Sequence, residues 1–199
     1  MCIIDFDNFD DNPEGCTETS HWLKENLNLP NRTFLFGNHD WQYRLPKGVA
    51  YCSGYAPWKH DIISSILNEE DWSKIKLFHS IENCWFSHAG ITRYWFEHPI
   101  NGVTVEGIQE EIRKAMVVTL DLQHQTHQDC IWAADRYRGG NCTKGGILWN
   151  DWNNAEHFDN ITQIVGHTPS VWGVRYIDGS NNSLNINVDT HMEEVAIYN

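Results

Sequence analysis

This sequence lacks long hydrophobic runs, an excess of basic residues and a leader pattern. No run reaches the roughly 18 apolar residues of a membrane helix, so no membrane span is expected. The first residues show neither the basic region nor the long apolar core of a signal peptide, and we expect a cytoplasmic protein. With 14 Lys and Arg against 27 Asp and Glu, the formal charge is −13, which argues against binding a nucleic-acid backbone through bulk charge.

Paired cysteine motifs are also missing. The six cysteines form no C-x-x-C pair and no zinc-ribbon spacing. In a cytoplasmic protein such cysteines are typically reduced thiols with a structural role, and the alternatives are a disulfide or a thiolate metal site.

The pattern of apolar runs predicts a single α/β domain over residues 1–199, without internal repeats or a dividing linker. We predict strands at residues 1–5, 33–36, 75–81, 84–87, 147–149, 161–166, 171–177, 184–189 and 194–198. Helices are predicted after a Thr17 cap that follows a turn at 12–15, and at 58–67, 92–96 and 105–117. A hairpin turn is predicted at 178–182, and a loop-rich insertion at about 118–146.

Several of these apolar runs end beside side chains that can bind a metal or move a proton. The segments are Gly37-Asn38-His39-Asp40, Ser87-His88-Ala89-Gly90, Gly166-His167-Thr168-Pro169 and the acidic stretch at residues 5–11. Ligand sites in open α/β sheets lie outside the carboxyl ends of the strands. Four strands that each deliver such a residue therefore predict one shared site.

Four of these side chains form a mixed set of metal ligands. Asp7 offers a carboxylate, Asn38 an amide oxygen, and His88 and His167 offer imidazoles. This mixture suits Mn, Fe or Zn better than Ca. A divalent ion bound here would lower the pKa of its water and create hydroxide near neutral pH.

His39 follows the predicted ligand Asn38 and suits a general acid, or a donor to developing charge, with Asp10 as the carboxylate that orients it. Each piece has an ordinary alternative when taken alone. The acidic stretch can be a solvated turn, a histidine after a strand is often structural, and Gly37-Asn38-His39-Asp40 can be a turn. All the pieces together, each at a strand end, favour a functional site.

The same segments resemble the signatures of the calcineurin-like metallophosphoesterases. Gly37-Asn38-His39-Asp40, Ser87-His88-Ala89-Gly90 and Gly166-His167-Thr168-Pro169 are similar to the third to fifth signatures, and Phe6-Asp7-Asn8-Phe9-Asp10 resembles the second. The most similar branch contains the serine/threonine protein phosphatases and diadenosine tetraphosphatases, including phage members. The resemblance covers nearly the whole chain.

The resemblance implies a phosphatase with an α/β sandwich of two mixed sheets flanked by helices. It implies two divalent ions, Mn²⁺ first with Fe or Zn as alternatives, and in-line attack by metal-bound hydroxide on a phosphorylated protein or a nucleotide. Asp7 would bridge the ions, and Asn38, His88 and His167 would hold the second one.

The resemblance also implies the residues that contact the substrate. His39 with Asp10 would serve the leaving group, and His39 and Asn38 would face the phosphate. The segment before the last histidine carries the arginine that holds phosphate, for which Arg138 is the first choice and Arg136 the second.

The sequence departs from the family at its beginning. The first signature, Asp-x-His, is not found before Asp7, so the chain resembles a member without its first strand and helix. Phe6 replaces a glycine, and Asp11 stands where an arginine often contacts phosphate. We therefore expect a weakened or single-metal site. The alternative function is a catalytically inactive module of this kind that binds a metal or a phosphorylated partner.

Overall fold

The computed structural model describes residues 2–3, 12–47, 52–93, 104–122 and 130–190. Its contacts divide the chain into two compact units, Met1–Leu77 and Phe78–Asn199, which we call the N-terminal and C-terminal units. The expectation of one domain over residues 1–199 stays a prediction.

The N-terminal unit combines a pair of parallel strands with short and medium helices. Its elements are β1 (Cys2–Ile3), α1 (Pro13–Asn26), β2 (Phe34–Leu35), α2 (Asn38–Arg44), α3 (Pro57–Ile66) and α4 (Glu69–Ser73). β1 pairs with β2 in parallel, with Cys2 opposite Phe34. Helix α1 buries Cys16, Ser20 and Leu23, which share one helical face.

Helix α1 begins earlier than the Thr17 cap predicts. The side chain of Asn12 accepts the Gly15 N–H at 2.8 Å, and Pro13 takes the first helical position, where its missing N–H is not needed. Thr17 lies inside the helix and donates its hydroxyl to the Pro13 carbonyl at 2.7 Å. Residues 12–15, predicted as a turn, are therefore the cap and first turn of a helix.

The short helices α2 and α4 were not predicted, although each has a capping side chain three residues after its N-cap residue. Asp40 accepts the Gly37 N–H at 2.8 Å. Asn68 and Asp71 each accept the other's backbone N–H at 3.0 Å, which is the capping box. These bonds satisfy backbone N–H groups that have no partner within the first turn of a helix.

The C-terminal unit is built on a five-stranded mixed sheet with the order β3-β4-β5-β7-β6. Its elements are β3 (Phe78–Ile81), β4 (Cys84–Ser87), α5 (Val105–Leu122), β5 (Thr162–Val165), β6 (Arg175–Asp178) and β7 (Leu184–Asn187). The three central strands are parallel, and β3 and β6 are antiparallel edges. Trp85 is completely buried in the core and stacks on Phe78 at 4.5 Å between ring centroids.

Three predictions for residues 75–149 are wrong. β3 begins at Phe78 instead of residue 75, and α5 continues to Leu122, inside the predicted insertion. Residues 147–149 form a turn in place of a strand. Ile147 and Leu148 are buried, and the Ile147 N–H donates to the Ile131 carbonyl at 2.9 Å. The described part of the insertion, 130–146, carries two 3-10 turns, Cys130–Trp132 and Arg136–Arg138.

The mixed α/β character is confirmed, because helices accompany both the parallel pair and the mixed sheet. The hairpin turn at 178–182 is confirmed between β6 and β7. The sandwich of two mixed sheets stays a prediction, and the strand at 194–198 and most of the helix at 92–96 lie outside the described residues. Within the described ranges, every helix is too short or too polar to cross a membrane.

Candidate functional site

His88 and His167 lie at the carboxyl ends of two neighbouring parallel strands. β4 and β5 pair with Phe86 opposite Ile164, and the Gly166 N–H donates to the His88 carbonyl at 2.8 Å just beyond the strands. This pairing brings the imidazoles together, with His88 Nε2 2.9 Å from His167 Nδ1. The structure therefore places side by side two residues that are 79 positions apart in the chain.

Tight backbone turns hold both histidines. After His88, Gly90 has φ +91, and its N–H donates to the Ser87 hydroxyl at 3.1 Å. His167 itself has φ +69, a left-handed conformation that costs a non-glycine residue about 1–2 kcal/mol. Strain of this kind is found at functional sites, where the surrounding structure enforces it.

Aromatic side chains and small residues surround the histidine pair. The Trp149 ring lies edge-on to His167, with 5.9 Å between centroids. Ala89, Gly90 and Gly166 line a small pocket together with Trp152. This pocket is lined by neighbours of the histidines, and neither His88 nor His167 lines it.

Arg138 points at the residue that follows His167. Its Nη2 atom donates to Thr168 Oγ1 at 2.6 Å and lies 2.8 Å from Asp151 Oδ2. Its side chain is 22% exposed, whereas the Arg136 side chain is exposed to solvent. Of the two arginines considered from the sequence, Arg138 is thus the one beside a histidine of the pair.

A buried carboxylate fixes the turn that carries Arg138. Asp135 is fully buried and accepts the Arg138 N–H at 3.1 Å through Oδ1, and the Asp151 N–H at 2.6 Å through Oδ2. A Cβ at Gly140 would come within 1.9 Å of the Ala134 carbonyl oxygen, so glycine is needed there. This part of the predicted loop-rich insertion therefore holds the Arg138 backbone in a fixed turn.

The N-terminal unit carries the predicted Asn38 and His39. Asn38 begins α2 and is 5% exposed, and His39 is half-buried with its Nδ1 atom 3.5 Å from Cys52 Sγ. Asp40, next in the chain, caps the helix through the Gly37 N–H. The predicted partner of His39, Asp10, lies outside the described residues, and so does the predicted ligand Asp7.

Arg175 was missed by sequence reasoning. It opens the edge strand β6, donates through Nη2 to the Thr168 carbonyl and lies over the Trp152 ring at 5.3 Å. Burial lowers the pKa of Arg175, and the nearby positive charge of Arg138 lowers it further. The negative charges of Asp151 and Asp189 act in the opposite direction and raise this pKa. An arginine at the start of an edge strand is an ordinary surface residue in sequence, so no pattern pointed to it.

Among the described residues, no three His, Cys, Asp or Glu side chains form a metal-ligand group. The set that the structure brings together is two imidazoles, with a threonine and an arginine beside them. Comparison of the chain with protein-family models, with curated proteins and with solved structures gave no match.

Proposed function

We propose that this protein is a metal-dependent phosphoester hydrolase that acts on a phosphorylated protein or a nucleotide. One observation carries the proposal: His88 Nε2 and His167 Nδ1 lie 2.9 Å apart at neighbouring strand ends, directly beside the Arg138 contact with Thr168. Cleavage of a phosphate ester benefits from a cation on one side of the phosphoryl group and a guanidinium on its oxygens.

The two histidines fit a divalent cation. His88 Nε2 and His167 Nδ1, which are hydrogen-bonded to each other at 2.9 Å, would together hold the ion once the proton between them is released. We propose Mn²⁺, with Fe or Zn as alternatives, because imidazole together with oxygen ligands suits these ions. When bound, such an ion polarises phosphoryl oxygens and lowers the pKa of water.

Arg138 is suited to hold the phosphoryl oxygens. Asp151 and Thr168 fix its Nη2 atom, so the guanidinium plane is oriented before a substrate arrives. A positive charge that needs no rearrangement stabilises developing negative charge efficiently. Arg138 is therefore proposed to orient the phosphate and to offset its charge during cleavage.

The remaining roles rest on the resemblance. Asp7 and Asn38 are proposed as further metal ligands, and His39, oriented by Asp10, as the acid for the leaving group. His39 Nδ1 faces the Cys52 thiol, and the two nitrogens of an imidazole point in nearly opposite directions. Nε2 is accordingly the nitrogen proposed to deliver the proton, and Asp10 would replace the thiol as the partner of Nδ1.

The test measures metal binding and turnover of the full chain separately. Mn²⁺ is titrated calorimetrically, and hydrolysis of an aryl phosphate is followed with and without Mn²⁺. We expect His88→Ala and His167→Ala each to weaken Mn²⁺ binding by at least about tenfold. His39→Ala should abolish turnover while Mn²⁺ still binds. The matched control is His79→Ala, a half-buried histidine on the edge strand β3.

The outcomes separate the two functions considered for this chain. Mn²⁺-dependent turnover that requires His88, His167 and His39 supports the hydrolase. Mn²⁺ binding that requires the histidine pair, without turnover of any phosphate ester, supports the inactive module instead. Binding unaffected by both histidine substitutions contradicts the proposed metal site.

A further inference from the structure

We infer that Arg175 is a second phosphate-binding residue, and that Arg138 and Arg175 together hold one phosphoryl group beside Thr168. We call these two side chains the arginine pair. The inference rests on the proposed function and deepens it, because it assigns a second guanidinium to the substrate site.

The arginine pair converges on one residue. Arg138 Nη2 donates to Thr168 Oγ1 at 2.6 Å, and Arg175 Nη2 donates to the Thr168 carbonyl oxygen. Thr168 directly follows His167 in the chain, so both guanidiniums contact the residue next to one histidine of the pair. Three parts of the C-terminal unit thus meet here: the 3-10 turn of Arg138, the segment after β5 and the edge strand β6.

The positive charge of the pair is only partly compensated. Asp151 pairs with Arg138 at 2.8 Å, and its other oxygen already accepts from Asn153 N at 2.9 Å and Asn153 Nδ2 at 2.8 Å. Arg175 forms no ion pair of its own in the described part of the chain, and the charges of Asp151 and Asp189 only partly offset its burial. A half-buried guanidinium in this position attracts an anion, because buried charges are normally paired.

Each arginine also has donors left over. Among the described residues, the Nε atoms of Arg138 and Arg175 are buried without a hydrogen-bond partner. Nη2 is the nitrogen that each directs at the protein, so Nη1, which no described residue binds, is the nitrogen of each arginine left for a ligand. A phosphate offers several acceptor oxygens, so one phosphate can accept from both arginines.

Arg175 is mounted rigidly enough for this role. It faces Asn187 across the β6–β7 pairing, and the Asn187 side chain donates to the same Thr168 carbonyl at 2.9 Å. The Trp152 ring supports the guanidinium from one side at 5.3 Å. Two like charges held this close favour a multiply charged anion, so the ligand class is a phosphomonoester or inorganic phosphate.

The experiment titrates inorganic phosphate into the full chain by calorimetry, with and without Mn²⁺. We expect Arg175→Gln to weaken phosphate binding by about tenfold or more, since a charged, forked donor is lost. Arg175→Lys should recover only part of this, because an ammonium keeps the charge but not the fork. Arg113→Gln, an exposed arginine on α5 paired with Glu110, is the control and should bind like the wild type.

A double variant tests whether the two arginines share one ligand. If both contact the same phosphate, Arg138→Gln combined with Arg175→Gln should cost less than the product of the single effects. With aryl phosphate as substrate, the Arg175 variants should raise KM more than they lower kcat. This pattern would not result from a general loss of folding, which circular dichroism checks in the same samples.

The outcomes distinguish this inference from the proposed function. Wild-type phosphate affinity in Arg175→Gln and Arg175→Lys overturns the inference, even if the protein hydrolyses phosphate esters. Failure of inorganic phosphate to bind the wild type also overturns it. Arg175-dependent phosphate binding without any turnover supports the arginine pair while the hydrolase proposal fails.

Discussion

Two strand ends of this protein share a sequence pattern and differ in structure. β2 is followed by Gly37-Asn38-His39, and β5 is followed by Gly166-His167. After Gly37, which is extended with φ −93 and ψ 171, the chain enters helix α2. After Gly166, His167 adopts φ +69 and the chain turns. A glycine followed closely by a histidine therefore does not determine how the histidine is presented.

The residues that follow decide between the two outcomes. Asp40 accepts the Gly37 N–H and so caps a helix, which mounts His39 on its first turn. Pro169 disfavours the helical conformation at Thr168 and prevents a helix after Gly166. His167 is consequently carried by a turn, which presents its ring to His88. Similar motifs thus produce a helix-borne histidine in one unit and a cross-strand pair in the other.

Replacing Asp40, whose carboxylate caps α2 after the first of these strand ends, should cause the largest loss of stability. Asp40 is fully buried and makes a charge-assisted bond, so we expect Asp40→Ala to lower the free energy of unfolding by about 2–3 kcal/mol. Urea unfolding measures the loss, and hydrogen exchange over residues 37–44 locates it. Asp61→Ala, at an exposed ion pair with Lys47, should cost less than about 0.5 kcal/mol. Equal stability of the two variants would contradict the capping role.

The fold was predictable where local patterns act alone. The strands near 33–36, 84–87 and 161–166 and the hairpin turn at 178–182 follow from apolar runs and turn residues. The turn at 147–149 was misread as a strand because burial against other segments produces the same apolar run as pairing in a sheet. The start of α1 was missed although Asn12 and Pro13 signal it, because Asn12, Pro13 and Gly15 are also typical turn residues.

The site was predictable only in part. The meeting of His88 and His167 follows from two strands that end beside ligand-type residues, once the strands pair in parallel. Arg175 could not be found in this way, because its contact with Thr168 depends on the register of β6 against β7. The turn sets the register of this hairpin, but the hairpin reaches Thr168 only because β7 pairs in parallel with β5, a pairing that no single segment encodes.

Removing the Ser87 hydroxyl should have an intermediate effect, at the strand end that carries His88. The hydroxyl accepts two buried N–H groups, Trp85 Nε1 and Gly90 N, both at 3.1 Å. We expect Ser87→Ala to lower the free energy of unfolding by about 1–2 kcal/mol, less than the loss at Asp40 because the acceptor is neutral. Urea unfolding measures it, with the exposed Ser65→Ala as the control. If Ser87→Ala lowered the free energy of unfolding as much as Asp40→Ala, the charge of the acceptor would not explain the larger effect expected at Asp40.

The smallest change in stability is expected from glycine and alanine substitutions at His167, which test whether its left-handed conformation is strained. His167 has φ +69, whereas His88 is absent from the described residues with positive φ. Without metal, His167→Gly should therefore be more stable than His167→Ala by about 1 kcal/mol, since both lose the ring and only alanine keeps the strain. At His88 the order should reverse by about 0.5–1 kcal/mol, because glycine there only adds flexibility to the unfolded chain. The same sign at both positions would show that the left-handed turn is not what presents His167 to His88.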